Sequence, residues 1–238
     1  MKRALAKAII IILIFTLAGC GSETSTPNTP TTPNTPKTGP IVCLGDSLTE
    51  GYGASEPSKV DKTKSYPEFL QNKVKANVVN AGISGDTAEG GLARVDKDVL
   101  SYNPQMVIIS LGANNFLRLK PASEAKNDLQ AIINKVKSEE RKIYLASFIG
   151  DAAWQDSYLQ TFLIMPPGIL ALLDDYRKIY DELRSENKDI GYISNIWKGI
   201  GKNQMSDLIH PNAEGYSIMA DNIFAVIKPY LTENNLLK

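Results

Sequence analysis

Five short apolar runs, rich in Val and Ile, recur along the chain at Ile41–Gly45, Val78–Ala81, Met106–Leu111, Lys142–Phe148 and Gly191–Asn195. Their length and β-branched content predict strands. Between them, apolar residues return at helical spacing over Tyr66–Ala76, Ala88–Ser101, Ser123–Glu139 and Ile169–Asn187, and one more such stretch, Ala213–Tyr230, follows the last strand. Continuous apolar strands alternating with amphipathic helices predict a parallel five-stranded sheet covered on both faces. This is a three-layer α/β/α domain over residues 41–238. In such sheets ligands sit beyond the carboxyl ends of the strands, so the residues just after each run are the ones to inspect for chemistry.

The first forty residues break this pattern. Lys2, Arg3 and Lys7 precede an apolar run from Ala8 to Ala18, which is followed by Gly19 and Cys20. A charged start, a short apolar run and small residues are the layout of a secretory signal over residues 1–19, and the run is too short for the roughly 20 apolar residues of a membrane span. Leu17-Ala18-Gly19-Cys20 resembles a bacterial lipobox, which implies lipidation of Cys20, a membrane partner and an exported, envelope-bound protein. Residues 20–40 then form a Thr- and Pro-rich linker with the near-repeat Thr-Pro-Asn-Thr-Pro. Such a composition buries no core, and an extended stretch from Ser22 to Pro40 reaches at most roughly 60 Å.

Composition changes the picture in two ways. The 26 basic and 26 acidic residues balance, and no Lys/Arg cluster lies beyond the N-terminus, so a nucleic-acid partner is not expected. With Cys20 set aside, Cys43 is the one remaining cysteine, leaving no intramolecular disulfide; its apolar surroundings predict a buried structural thiol.

The candidate chemistry falls after the strands. Gly45-Asp46-Ser47-Leu48 places a serine where the chain turns out of the first strand. Asp207-Leu208-Ile209-His210-Pro211 sets a carboxylate three residues before the chain's single histidine, ahead of the last helix, with Pro211 expected in that helix's first turn. An aspartate so placed can fix the imidazole tautomer and leave the other nitrogen to take a proton from a hydroxyl, help that serine needs because its free hydroxyl is a weak nucleophile. Taken alone, an Asp-x-x-His before a helix is more often a capping arrangement, a serine after a strand a helix cap. One histidine leaves no His-rich metal motif, and no metal or cofactor is expected. The nucleotide signatures G-x-G-x-x-G and G-x-x-x-x-G-K-[ST] are absent, as is the G-x-S-x-G elbow of α/β-hydrolases.

Four blocks in order, Gly45-Asp46-Ser47-Leu48, Asn80-Ala81-Gly82-Ile83-Ser84-Gly85-Asp86-Thr87, Gly112-Ala113-Asn114-Asn115 and Asp207-x-x-His210, resemble those of the GDSL/SGNH hydrolases, closest to the bacterial thioesterase, lysophospholipase and arylesterase branch. The resemblance covers the whole domain and implies a flavodoxin-like fold. It further implies Ser47 as nucleophile, Asp207 and His210 as its catalytic partners, and an oxyanion hole made of the N–H groups of Ser47 and Gly85 with the Asn114 amide. Asn115 departs from the family, which usually has Asp there. The activity implied is hydrolysis of carboxylic esters or thioesters, including lysophospholipid-like acyl esters, with carbohydrate O-deacetylation as the alternative. A non-catalytic glycan- or envelope-binding relative is the alternative of another class. After the fourth strand, the apolar segment containing Trp154, Tyr158, Phe162, Leu163, Ile164 and Met165 is expected either to shape an acyl pocket, as lining or lid, or merely to pack an insertion onto the domain.

Overall fold

The computed structural model of the chain describes residues 39–149 and 167–238. The five expected strands all form: β1 Ile41–Gly45, β2 Val78–Gly82, β3 Met106–Ser110, β4 Lys142–Ala146 and β5 Gly191–Ile193. They make one all-parallel sheet in the order β2-β1-β3-β4-β5. β1 is an interior strand and wholly buried, which is why its five residues read as a continuous apolar run rather than an alternating one.

Alternation along each strand divides the core in two. Val42 and Leu44 of β1, Val107 and Ile109 of β3, and Ile143 and Leu145 of β4 point to one layer. That layer is closed by helices α3 (Ala88–Ala93), α4 (Val95–Asp98), α5 (Ala113–Leu117), α6 (Ala122–Val136) and α7 (Pro167–Glu186). Ile41, Cys43, Met106, Ile108, Tyr144 and Ala146 point the other way, under α1 (Ser47–Glu50), α2 (Tyr66–Gln71) and α8 (Ala213–Glu233). On α8 the buried Tyr216, Met219, Ala220, Ile223, Ile227 and Leu231 form the stripe that the 3.6-residue period requires. The fold is thus the three-layer α/β/α arrangement, with the flavodoxin-like strand order and its switch point between β1 and β3.

Several boundaries differ from the sequence pattern. The helix expected over Tyr66–Ala76 stops at Gln71, because the Gln71 side chain takes over the turn into β2: its amide donates to the carbonyls of Val74 and Ala76 and its oxygen accepts from Val78 N–H at 2.8 Å. The single helix expected over Ala88–Ser101 is three pieces, α3, α4 and a 3₁₀ turn at Leu100–Tyr102. Its first break falls at Arg94, whose φ of −108° and ψ of 5° leave the helical region while its guanidinium reaches into the sheet edge. Pro211 is not in the first turn of α8: Asn212 is the N-cap, accepting from Gly215 N–H, and Pro211 pairs with Met205 in an antiparallel bridge. Cys43 is the buried free thiol expected, and burial pushes it up to about 12, so it stays protonated at neutral pH. Cys20 and the linker as far as residue 38, like Trp154, Tyr158, Phe162, Leu163, Ile164 and Met165, lie outside the described residues.

Candidate active site

Three strand ends converge on one cleft. After β1, Asp46 caps α1 by accepting from Leu48 N–H at 3.0 Å, which makes Ser47 the first helical residue, with an N–H that has no acceptor within its own helix. After β2, Ile83 to Asp86 form a turn closed by Asp86 N–H donating to Ile83 O at 3.1 Å, with Gly85 third. Gly85 has φ +80°, the left-handed value that a type II turn needs there and that glycine adopts without Cβ strain. After β3, Asn114 lies in the first turn of α5. Among the described residues the N–H groups of Ser47 and Gly85 donate to no other group, whereas the Asn114 amide nitrogen lies 3.0 Å from Asp86 O and 3.4 Å from Asp46 Oδ2.

The fourth contribution comes from the loop between β5 and α8. Its Met205–Pro211 bridge and the Ser206 N–H donating to His210 O at 2.8 Å close it into a small ring. Inside the ring, Asp207 Oδ1 accepts from the backbone N–H groups of Ile209 and His210, each at 2.7 Å, while Oδ2 lies 2.8 Å from His210 Nδ1. The other imidazole nitrogen, Nε2, is 3.0 Å from Ser47 Oγ. Burial pulls the Asp207 carboxyl upward, but the N–H of Ile209, the His210 ring and the His210 N–H together hold it below its ordinary value. It is therefore a carboxylate across the neutral range. Ser47, 163 residues before His210 in the chain, forms one hydrogen-bonded line with His210 and Asp207.

Supporting residues absent from that reading complete the site. The Tyr52 ring packs at a tilt against the His210 ring, centroids 4.5 Å apart, and Tyr216 of α8 donates its hydroxyl to Tyr52 O at 2.8 Å, tying the turn after α1 to α8 beside the histidine. Gly53 has φ +79°, and a Cβ there would lie 3.1 Å from both His210 Cβ and Ser206 Cβ, so any other residue would strain the backbone and press the two loops apart by a few tenths of an ångström. Asn80 of β2 donates to Thr49 O and Ser65 Oγ, fixing the back of α1. Asn115, buried, accepts from Ala88 N–H at 2.9 Å, so its oxygen holds the start of α3 as a carboxylate at that position would. Asp46 is pushed up to about 7, chiefly by burial, with Leu48 N–H opposing and the Asp86 charge adding. No single motif flags Tyr52 or Tyr216; both act by filling space between loops distant in sequence.

Ser47, Gly85, Asn114, Leu117, Ile209 and His210 line a cleft of about 320 Å³. A wider depression near Lys137, Arg141 and Asp189 lies at the amino ends of the strands, away from Ser47 and His210.

A carboxylate-oriented histidine against a serine, facing backbone N–H donors at the strand ends of an α/β sheet, is the construction of a hydrolase, and the chain belongs to the GDSL-like Lipase/Acylhydrolase family, which it matches over residues 43–218. It is similar to Thioesterase 1/protease 1/lysophospholipase L1 of Escherichia coli (strain K12), at 26% identity over 197 residues covering 82% of this chain and 86% of that one. It is also similar to an arylesterase of Vibrio mimicus, at 32% identity over 110 residues, 44% of this chain and 52% of the relative. Among solved structures, one of a protein called TesA superposes with a TM-score of 0.64 at 25% identity, covering 79% of this chain and 98% of the other.

Proposed function

We propose that this hydrolase is a serine esterase, cleaving carboxylic esters or thioesters through an acyl-Ser47 intermediate. The observation that carries the reading is the line from Ser47 Oγ through His210 Nε2 and Nδ1 to Asp207 Oδ2, with contacts of 3.0 and 2.8 Å. His210 Nε2 takes the hydroxyl proton as Ser47 Oγ bonds to the acyl carbon, and the carbonyl electrons move onto oxygen. The N–H groups of Ser47 and Gly85 and one N–H of Asn114 receive that oxyanion, a term worth about 100- to 1,000-fold in rate per donor. Collapse expels the alcohol or thiol, which leaves with the proton from Nε2. Water, deprotonated by the same nitrogen, then attacks the acyl carbon and returns Ser47 and a free acid. Asp207 stays ionised throughout and stabilises the transient imidazolium.

Leu48, Leu117 and Ile209 on the cleft wall favour an apolar acyl group over a sugar. The lipobox-like Leu17-Ala18-Gly19-Cys20 and the linker support placement of the enzyme on a bacterial membrane from the exported side. Nitrophenyl esters from acetate to palmitate, tested with the wild type and Ser47→Ala, check the proposal. Expected is Ser47-dependent turnover peaking beyond acetate. A preference for acetate with release of acetate from acetylated polysaccharide would favour the glycan esterase, and no Ser47-dependent turnover of any ester would leave a binding protein.

A further inference from the structure

The three oxyanion donors stand on three separate segments: Ser47 after β1, Gly85 in the turn after β2, and Asn114 on α5 after β3. Catalytic donors must hold their mutual positions to within about 0.5 Å, so something has to lock these segments together. One side chain reaches the first two directly and the third through Asp86, without entering the cleft. Arg94 Nη2 donates to Gly45 O at 2.8 Å, two residues before Ser47. Its Nη1 donates to Ala81 O at 2.7 Å in β2, and its Nε donates to Asp86 Oδ2 at 2.7 Å, next to Gly85. Asp86 in turn offers its own carbonyl to the Asn114 amide at 3.0 Å. The Arg94 side chain is 11% exposed and that of Asp86 13%, so this pair is shielded from solvent.

We infer that Arg94, through Asp86, is a positioning residue that sets the register of the oxyanion donors. The inference rests on the roles given above to Ser47, Gly85 and Asn114. A planar guanidinium presents donors in fixed directions to four acceptors at once, the fourth being Asp98 Oδ2 at 3.3 Å from Nη1, whereas an ammonium on a flexible stem holds one or two and leaves their relative placement loose. General stabilisation is a poor account of the arrangement, because a shielded ion pair often adds little net stability against an apolar replacement. What distinguishes this one is that Gly45 and Asp86 lie within two residues of Ser47 and Gly85, and that Asp86 also holds Asn114. Glu50 grips the same turn from the other side, its Oε2 accepting from Ser84 N–H at 2.7 Å and Ser84 Oγ at 2.6 Å. The turn carrying Gly85 is thus held at both shoulders.

The test compares wild type, Arg94→Lys and Ser47→Ala in the full chain, with a nitrophenyl ester as substrate and an alkyl trifluoromethyl ketone as a ligand that forms a tetrahedral anion on serine. Arg94→Lys is expected to lower kcat about 10- to 100-fold, short of outright loss of one donor, with KM changed less than about threefold. Affinity for the ketone should fall in proportion to kcat, a coupling that a purely structural role would not produce. Should Arg94→Lys fail to fold by circular dichroism and thermal melting, Asp86→Asn, which keeps the side-chain shape and removes the nearer of Arg94's two charge partners, carries the same readouts. A folded variant with kcat within threefold of wild type, or a fall in kcat without loss of ketone affinity, overturns the inference while leaving the esterase reading standing. Absence of Ser47-dependent turnover in the wild type overturns both.

Discussion

Replacing Asp207 with asparagine should be one of the most damaging conservative changes available to this chain, and the structure says why. Oδ1 of Asp207 accepts two backbone N–H groups, those of Ile209 and His210, at 2.7 Å each. An amide in its place must keep oxygen at that position, since turning its NH₂ there would set donor against two donors. The NH₂ is therefore forced into the Oδ2 position, 2.8 Å from His210 Nδ1. Nδ1 then has to accept, the imidazole proton moves to Nε2, and the nitrogen 3.0 Å from Ser47 Oγ can no longer take a proton. A wrong tautomer in this arrangement costs about 10⁴ in kcat, about 5.5 kcal/mol of barrier. Asp207→Ala imposes no tautomer and should be no worse. Steady-state hydrolysis of a nitrophenyl ester by both variants, with folding checked by circular dichroism, measures this; Asp207→Asn retaining kcat within tenfold of wild type would refute the argument.

Asn114→Ala should lower kcat about 100- to 1,000-fold with little change in KM, read from the same assay. Gly53→Ala places a Cβ at 3.1 Å from His210 Cβ on a backbone with φ +79°. It should cost about 1–2 kcal/mol in a melting experiment and lower kcat by displacing the imidazole. Asp46, raised to about 7, keeps a proton in the native chain that the unfolded chain, with its value near 4, has lost between those pH values. Its contribution to stability is complete below about pH 4 and falls as pH rises through 7, by about 4 kcal/mol in all. Urea unfolding should show about 2–3 kcal/mol of that decline between pH 5 and pH 8 in the wild type and not in Asp46→Asn; equal declines in both would sink it.

The strands were legible because β1, β3 and β4 are buried on both faces, which forces uninterrupted apolar runs whatever packs on them. Helix ends were less so. Gln71 ends α2 through a side chain that satisfies three backbone groups of the following turn, and hydrophobic periodicity does not register such a bond. The break at Arg94 is likewise decided by acceptors on β1 and β2, far away in sequence. At the site, Ser47, Gly85, Asn114, Asp207 and His210 could be read from four motif blocks, since each block sits where a strand or loop ends. Tyr52, Tyr216 and Arg94 carry no local signature, because their roles exist only once loops separated by dozens of residues are folded together.

The acyl-enzyme is the species on which the account stands or falls. Acid quenching of the wild type during turnover of a slowly deacylated nitrophenyl ester, followed by peptide mass mapping, should find the acyl group on the peptide containing Ser47, with no such adduct and no turnover in Ser47→Ala. An acyl group on another residue, or undiminished turnover by Ser47→Ala, would contradict it.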